Sequence, residues 1–232
     1  MFKNFFDGYE AIIFDLDGTI VNDEFVWDQS LINVFSKEII SSNPYYGERG
    51  QNLSLKIQTI LMNNTFRSSL AFDSYYRLVL NDFSNNIEQV SVTPGFEEFA
   101  TFLKNKGKRL LLATNSDFEI TSRIIQGLKL NDYFDQIITA DDISLPKPAP
   151  EIYELAIEKL QLDKSKVVVF EDSINGVLAA EEAGLNVLIV LPNEFKPSDY
   201  GSKQRVFIDD FETITDNLDS DADTYILEFF SK

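Results

Sequence analysis

The chain has 232 residues, with 38 acidic and 20 basic side chains and a formal net charge of −18 at pH 7. It contains no cysteine and no histidine, which excludes disulfides, thiolate or imidazole metal sites, cysteine nucleophiles and Ser-His-Asp triads. Acid–base chemistry must therefore use Asp, Glu, Lys or Tyr, and any metal must sit among oxygen ligands, which favours Mg, Ca or Mn.

Short, uniformly apolar runs predict strands that are buried on both faces, as in a parallel sheet covered by helices. These runs cover residues 11–14, 109–113, 136–139, 167–170 and 186–191, with a further short strand at 205–208. Helical patterns with capping residues lie between them, at 96–106, 118–128, 151–160 and 174–183. The alternation predicts an α/β fold, a doubly wound parallel sheet with a Rossmann-like core.

Residues 21–92 interrupt this alternation with helical periodicity that is broken at the polar stretches 41–44 and 63–64. We interpret this segment as a small helical domain inserted after the first strand, with hinges near residues 21–23 and 92–94. Residues 1–20 and 93–232 would then form the α/β catalytic core. The acidic tail after Asn217 ends in an apolar run at 225–230, for which we predict a last helix.

Four polar clusters follow the predicted strands. They are Asp15-Leu16-Asp17-Gly18-Thr19, Thr114-Asn115-Ser116, Pro146-Lys147-Pro148 and Glu171-Asp172-Ser173. Because ligands of open α/β sheets bind beyond the carboxyl ends of the strands, the topology should bring these clusters to one edge. Four of the side chains are carboxyl groups that could not share a dry site as bare anions. We therefore expect a divalent cation and Lys147 to compensate their charge.

In this order, the clusters resemble the four sequence motifs of the haloacid dehalogenase-like superfamily, and the match covers most of the chain. The insertion between the first and second motifs resembles the helical cap of the subgroup that includes phosphoglycolate phosphatase and β-phosphoglucomutase. A cap at the alternative position, between Thr114 and Lys147, has no room, because one helix and one strand use that segment.

The resemblance implies the catalytic roles. Asp15 would attack phosphorus and form an aspartyl-phosphate, and Asp17 would act first as general acid and then as general base. Thr114 would hydrogen bond a phosphoryl oxygen, and Lys147 would neutralise phosphoryl charge and pair with Asp15. The implied cofactor is Mg²⁺, whose expected ligands include two carboxylates and a main-chain carbonyl. The metal-site residues are Asp15, Asp172, Asp17 through its carbonyl, and Glu171 as a metal-proximal acid.

The resemblance also implies substrate contacts from the first two motifs, at Gly18, Thr19, Asn115 and Ser116, and the predicted cap offers Arg49 as a further candidate. Gly18 and Thr19 allow a sharp turn and offer amide donors near the phosphate. Arg49 follows a glycine-containing turn and could reach a substrate hydroxyl, carboxylate or second phosphate. The alternative is a surface arginine that is paired with Glu48 or another neighbour.

Departures from related groups narrow the reaction. Dehalogenases and phosphonate-cleaving relatives lack the second acid of the first motif, whereas Asp17 is present here. Mutases of the β-phosphoglucomutase type usually have valine where Thr19 stands and carry a histidine shortly afterwards, and this chain has none. We expect a phosphatase for a small phosphomonoester, either a sugar phosphate or a nucleoside monophosphate. The alternatives are a sugar-phosphate mutase and a catalytically silent binding module, against which the complete motif set speaks.

The acidic balance argues against a nucleic acid polymer as partner, because phosphate backbones bind basic patches. No apolar run approaches the ~18 residues of a membrane span, and the first residues do not read as a signal peptide. We therefore expect a cytoplasmic monomer that acts on a small-molecule phosphate ester.

Overall fold

The computed structural model describes residues 5–36, 57, 60, 72–192 and 195–216. Within these ranges there are eight strands, β1 (Ala11–Phe14), β2 (Val21–Asn22), β3 (Ser91–Val92), β4 (Arg109–Ala113), β5 (Gln136–Ile138), β6 (Val167–Glu171), β7 (Asn186–Val190) and β8 (Val206–Ile208). Six of them form one sheet in the order β5-β4-β1-β6-β7-β8, and every neighbouring pair is parallel. The predicted parallel sheet is confirmed.

The described helices are α1 (Glu24–Phe35), α2 (Phe72–Asn85), α3 (Phe96–Asn105), α4 (Phe118–Gly127), α5 (Glu151–Leu160), α6 (Ile174–Glu182) and α7 (Glu212–Thr215). Where the ends of the core strands and helices differ from the predicted ends, they differ by one residue. The terminal residues of an element have fewer ladder or helix hydrogen bonds, so a sequence pattern defines its end least well.

Both faces of the sheet are covered, which makes the core doubly wound as predicted. The side chains of Ile12 and Phe14 join one apolar cluster, together with those of α3 and α4. Ala11 and Ile13 join the opposite cluster, together with α5 and α6. Since alternate residues of a strand face opposite sides, a strand covered on both sides must be apolar at every position, which explains the uniform run at β1.

Aromatic side chains dominate the face that carries Phe14. Phe14 stacks on Phe170 of the neighbouring strand at 5.1 Å between ring centroids, and it meets Phe96 edge-on at 5.5 Å. Phe211 packs against the same rings. Such contacts add to the hydrophobic burial of each ring. They fix β1 in the middle of the sheet, directly before Asp15.

Residues 21–92, the predicted insertion, begin and end at a short ribbon. Strands β2 and β3 pair antiparallel, Val21 with Val92 and Asn22 with Ser91, at the two predicted hinge positions. Helices α1 and α2 pack together beyond the ribbon, where Trp27 stacks on Phe83. The domain boundaries at 20/21 and 92/93 remain a proposal. The predicted helix at 225–230 lies outside the described residues.

Within the described ranges, no helix is long and apolar enough to cross a membrane.

Candidate active site

The chain topology brings the first, second and fourth motifs to one edge of the sheet. β1 lies between β4 and β6, so their carboxyl ends are adjacent. Asp15 follows β1, Thr114 follows β4, and Glu171 is the last residue of β6. All three residues are buried. The third motif reaches the same place from the segment between β5 and α5, which carries Lys147.

Lys147 lies between two carboxylates. Its ammonium nitrogen Nζ donates to Asp15 Oδ1 at 2.6 Å, to Glu171 Oε1 at 2.6 Å and to the carbonyl oxygen of Ala113 at 2.9 Å. An ammonium group has three donors, so all three are used. Burial lowers the pKa of Lys147, but the charges of Asp15 and Glu171 outweigh it and hold the pKa well above its usual range. Lys147 is therefore a fixed, buried cation.

Glu171 is held by five donors. Oε1 accepts from Lys147 and from the Tyr153 hydroxyl at 3.0 Å, while Oε2 accepts from the Ser173 hydroxyl at 3.1 Å and from the two main-chain amides that follow Glu171. A Cβ at Gly176 would lie 1.7 Å from Oε1, so only glycine leaves room for this carboxylate. The arrangement holds Glu171 against Lys147.

Asp17 lies beside the second motif. Its Oδ2 accepts from the Thr114 hydroxyl at 3.1 Å and from the Ser116 hydroxyl at 2.7 Å. The chain reverses tightly at Gly18, which has a φ of +86° and whose amide donates to the Val21 carbonyl at 2.8 Å. The turn places Asp17, which lies two residues after Asp15, on the same edge of the sheet as Asp15.

Sequence reasoning missed Asp23, which it treated only as part of a hinge. Asp23 is 0% exposed, and its Oδ2 accepts a hydrogen bond from the Trp27 indole nitrogen at 2.8 Å. Oδ1 of Asp23 and Oδ1 of Asp17 are both buried and have no hydrogen-bond partner among the described residues. Burial raises the pKa of Asp23 well above its usual range, Asp17 raises it further, and the hydrogen bond from Trp27 opposes the rise.

Three buried carboxyl groups form a candidate metal centre, Asp15, Glu171 and Asp172, whose oxygens lie within 4.8 Å of one another. The Thr19 hydroxyl donates to Asp172 Oδ1 at 3.2 Å, and a Cβ at Gly18 would lie 2.1 Å from Oδ2. Hard oxygen donors crowded in this way suit Mg²⁺ or Ca²⁺.

The pKa of Asp15 is consistent with a site that requires more positive charge. Burial raises this pKa well above its usual range and Glu171 raises it further, so that both outweigh the nearby Lys147. The residues therefore fit a divalent cation, which would favour the ionised carboxylate of Asp15.

The remaining predicted site residues differ in what they contact. The Asn115 side-chain oxygen accepts from the Lys147 main-chain amide at 3.0 Å, which holds the lysine loop. Arg49 lies outside the described residues. Sequence reasoning also assigned no role to Tyr153, although it follows the lysine motif, or to Tyr200, whose hydroxyl donates to the Asp172 carbonyl. A buried tyrosine needs a partner for its hydroxyl, but tertiary packing decides which group is that partner.

The fold and this site define a class, that of α/β enzymes whose carboxylate and lysine chemistry lies at the carboxyl edge of a parallel sheet. The chain matches the model of one such family, haloacid dehalogenase-like hydrolase, over residues 9–184. It therefore belongs to the haloacid dehalogenase-like hydrolases.

Individual relatives agree with this assignment. YhcW of Bacillus subtilis (strain 168) is 30% identical over 197 residues, which cover 80% of this chain and 84% of YhcW. The phosphorylated carbohydrates phosphatase of Thermotoga maritima is 29% identical over 184 residues, covering 76% and 82%. The crystal structure of CbbY from Rhodobacter sphaeroides in complex with phosphate has a TM-score of 0.73 at 22% identity, covering 88% and 95%. Family and relatives together identify the chain as a phosphatase of this class.

Proposed function

We propose that the protein is a Mg²⁺-dependent phosphatase that hydrolyses a small phosphomonoester through an aspartyl-phosphate on Asp15. The observation that carries the proposal is the position of Asp15 at the centre of the sheet edge. It is paired with Lys147 at 2.6 Å, and it lies two residues before Asp17. A nucleophile, a buried cation and a second carboxyl group are thus assembled on one edge.

In the first step, a carboxylate oxygen of Asp15 forms a bond to phosphorus while the bond from phosphorus to the ester oxygen breaks. Asp17 donates its proton to the departing alkoxide. In the second step, Asp17 takes a proton from water, whose oxygen attacks the aspartyl-phosphate and releases inorganic phosphate and the Asp15 carboxylate. The Thr114 and Ser116 hydroxyls, at 3.1 and 2.7 Å from Asp17 Oδ2, support this role by orienting the acid.

Charge neutralisation supplies much of the catalysis of phosphoryl transfer. Lys147 is the protein's own contribution, and Glu171 keeps it in place. Asp15, Asp172 and the main-chain carbonyl of Asp17 would hold Mg²⁺, with Glu171 close by. When bound, Mg²⁺ would neutralise the charge of the phosphoryl oxygens and polarise them.

For the substrate, we propose a sugar phosphate or a nucleoside monophosphate. The phosphorylated carbohydrates phosphatase of Thermotoga maritima, 29% identical to this chain, favours the sugar phosphate. The cytoplasmic location and the monomeric state are part of the same proposal, and sedimentation of the purified protein tests the latter.

The test is phosphate release from a panel of sugar phosphates, nucleotides and 4-nitrophenyl phosphate, with Mg²⁺ and with EDTA. Wild type should hydrolyse some members only with Mg²⁺, and Asp15→Asn should be inactive. Asp163→Asn is the matched control, because Asp163 is exposed and contacts Ser165 rather than the site. An active Asp15→Asn enzyme would exclude Asp15 as nucleophile. Phosphate that appears on a second sugar hydroxyl instead of in water would show a mutase.

A further inference from the structure

The second motif divides its side chains between two partners. The hydroxyls of Thr114 and Ser116 donate to Asp17 Oδ2 at 3.1 and 2.7 Å. The side chain of Asn115, which lies between them in sequence, contacts the main chain of Lys147 instead. Its Oδ1 accepts from the Lys147 amide at 3.0 Å, and its Nδ2 donates to the Lys147 carbonyl at 3.4 Å. The carboxamide thus holds one residue of the lysine loop at both of its main-chain polar groups.

The lysine loop, residues 143–150, offers a single main-chain donor at this point. Pro146 and Pro148 have no amide hydrogen, so the Lys147 amide is the one main-chain donor of the tripeptide. That donor is bound to Asn115. Both prolines are exposed, whereas Lys147 between them is 5% exposed. The bond to Asn115 therefore holds the loop where an exposed segment turns a lysine inward.

A second anchor holds the loop before Lys147. The carboxylate of Glu151, at the start of α5, accepts from the amides of Ser144 and Leu145 at 2.9 and 2.7 Å. This anchor ties the loop to α5, whereas the second-motif carboxamide ties it to the end of β4. The same strand supplies the Ala113 carbonyl, which accepts from the lysine ammonium at 2.9 Å. The main chain and the ammonium of Lys147 are therefore both tied to the end of β4.

The position of the ammonium depends on where the lysine main chain lies. Nζ reaches Asp15 and Glu171 at 2.6 Å each, and the side chain that carries it extends from the main-chain atoms that Asn115 holds. A displacement of about 1 Å in an active site can cost about 100-fold in rate. Without the carboxamide, the exposed loop would be free to move toward solvent and to draw Nζ away from the two carboxylates.

We propose that Asn115 is a positioning residue, which fixes the main chain of Lys147 to the end of β4 and so holds the ammonium against Asp15. Its effect on catalysis rests on the proposed function, and the role differs from the substrate contact that the family resemblance implies. Lys147 acts on the phosphoryl group that all phosphomonoesters share, so a loss transmitted through it should be similar for every leaving group. A side chain that contacts the leaving group should give losses that differ between substrates.

The first test follows the Lys147 ammonium itself, by proton–nitrogen NMR of the purified protein without substrate. A buried ammonium with three acceptors exchanges its hydrogens slowly with water and should give a resolved signal, which Lys147→Arg removes. Asn115→Ala should broaden or abolish this signal. Asn115→Asp, which keeps the acceptor for the Lys147 amide, should retain it. Asn186→Ala is the matched control, because Asn186 donates to the Tyr9 hydroxyl at 2.9 Å, at the amino end of β7.

The second test is kcat/KM for glucose 6-phosphate, AMP and 4-nitrophenyl phosphate, three phosphomonoesters with different leaving groups. Asn115→Ala should lower all three values by about the same factor, about 10- to 100-fold. Asn186→Ala should leave them unchanged. Thermal unfolding checks that the variants fold. If Asn115→Ala does not fold, Asn115→Ser, whose hydroxyl is too short to make both bonds to Lys147, takes its place in both tests.

An unchanged Lys147 signal in the Asn115→Ala protein would overturn the positioning role, and an equal kinetic loss would then indicate a contact with the phosphoryl group itself. Unequal losses among the three substrates would overturn it in favour of a contact with the leaving group. A wild-type protein without a Lys147 signal would contradict the buried ammonium on which the role depends. A wild-type protein inactive on all three substrates would overturn the proposed function, while the NMR signals would still decide whether Asn115 holds Lys147.

Discussion

The hydroxyl of Tyr76, on α2, donates a 2.7 Å hydrogen bond to the carboxylate of Asp117, which directly precedes α4 in the core. Asp117 also directly follows Ser116, whose hydroxyl is one of the two that donate to the Asp17 carboxylate. A second bond joins the same helices, from Arg123 Nη1 to the Ser84 hydroxyl at 2.9 Å. Burial and the bond to Asp117 raise the pKa of Tyr76, so its hydroxyl stays a donor. Helix α2 is thereby attached to α4 and to the residue before it, close to the candidate site.

Tyr76→Phe should weaken this attachment while keeping the ring. We expect a loss of about 1 kcal/mol in the free energy of unfolding, the usual value of one hydrogen bond, and an increase of about 2- to 5-fold in KM for a sugar phosphate. Urea unfolding and steady-state kinetics measure the two effects. Tyr133→Phe is the control, because Tyr133 lies before β5, at the amino ends of the strands and so away from the candidate site at their carboxyl ends. Unchanged stability and KM would contradict a role for the bond.

Lys147→Met should be strongly destabilising. It removes the ammonium that lies 2.6 Å from both Asp15 and Glu171, and a buried charge without its partner costs about 3–5 kcal/mol. Phosphatase activity should also be lost, because the phosphoryl group loses its lysine. The exposed Lys159 on α5 gives the control Lys159→Met, with an expected change within about 0.5 kcal/mol. Equal effects of the two substitutions on urea unfolding would refute the stabilising role of Lys147.

Gly176→Ala tests the tight packing around Glu171. The added Cβ would lie 1.7 Å from Glu171 Oε1, so the carboxylate must move away from its donors. We expect a destabilisation of about 1–3 kcal/mol together with reduced activity. Gly8→Ala adds the same methyl group at an exposed glycine with nothing within 4 Å, and thermal unfolding of the two variants gives the comparison. A Gly176→Ala protein as stable and active as Gly8→Ala would show that Glu171 is free to shift.

Added Mg²⁺ should raise the unfolding temperature of the wild-type protein in the absence of substrate. A ligand at 100 times its dissociation constant stabilises by about 2.7 kcal/mol, which is roughly 5–11 °C for a chain of this size. Asp172→Asn should reduce the shift sharply, because it removes one carboxylate from the cluster of three. Asp163→Asn, at the protein surface, should keep the full shift. If Asp172→Asn also keeps it, the metal binds elsewhere.

The sheet is predictable from the sequence because its signals are local. A strand covered on both faces has to be apolar at successive positions, as at Ile12, Ile13 and Phe14. The order of the strands in the sheet is harder to predict from the sequence, since it depends on the direction of each crossover connection. The predicted convergence of the first, second and fourth motifs at one edge of the sheet nevertheless holds, because parallel strands share their carboxyl end.

The site is less predictable than the sheet. The motif residues are recognisable, and the expected pairing of Lys147 with Asp15 is present. Glu171 illustrates what the pattern leaves open. A carboxylate beside Asp172 suggests a metal ligand, but five hydrogen-bond donors converge on it, from Lys147, Tyr153 and the two residues that follow Glu171. The motifs contain most of these residues, but the pattern does not show that their donors meet at Glu171. Its place in the metal site stays a prediction, as does that of Arg49 in substrate binding.

By itself, the sequence determined the class of fold, the exclusion of cysteine and histidine chemistry, and the acids and the lysine that could act on a phosphate. These follow from residue type and from periodicity along the chain. Only the tertiary structure decided that Asp23 is buried, that Tyr76 reaches Asp117, 41 residues away, and that Gly176 makes room for Glu171. Such contacts depend on how separate helices and strands pack against one another, which short-range patterns do not encode.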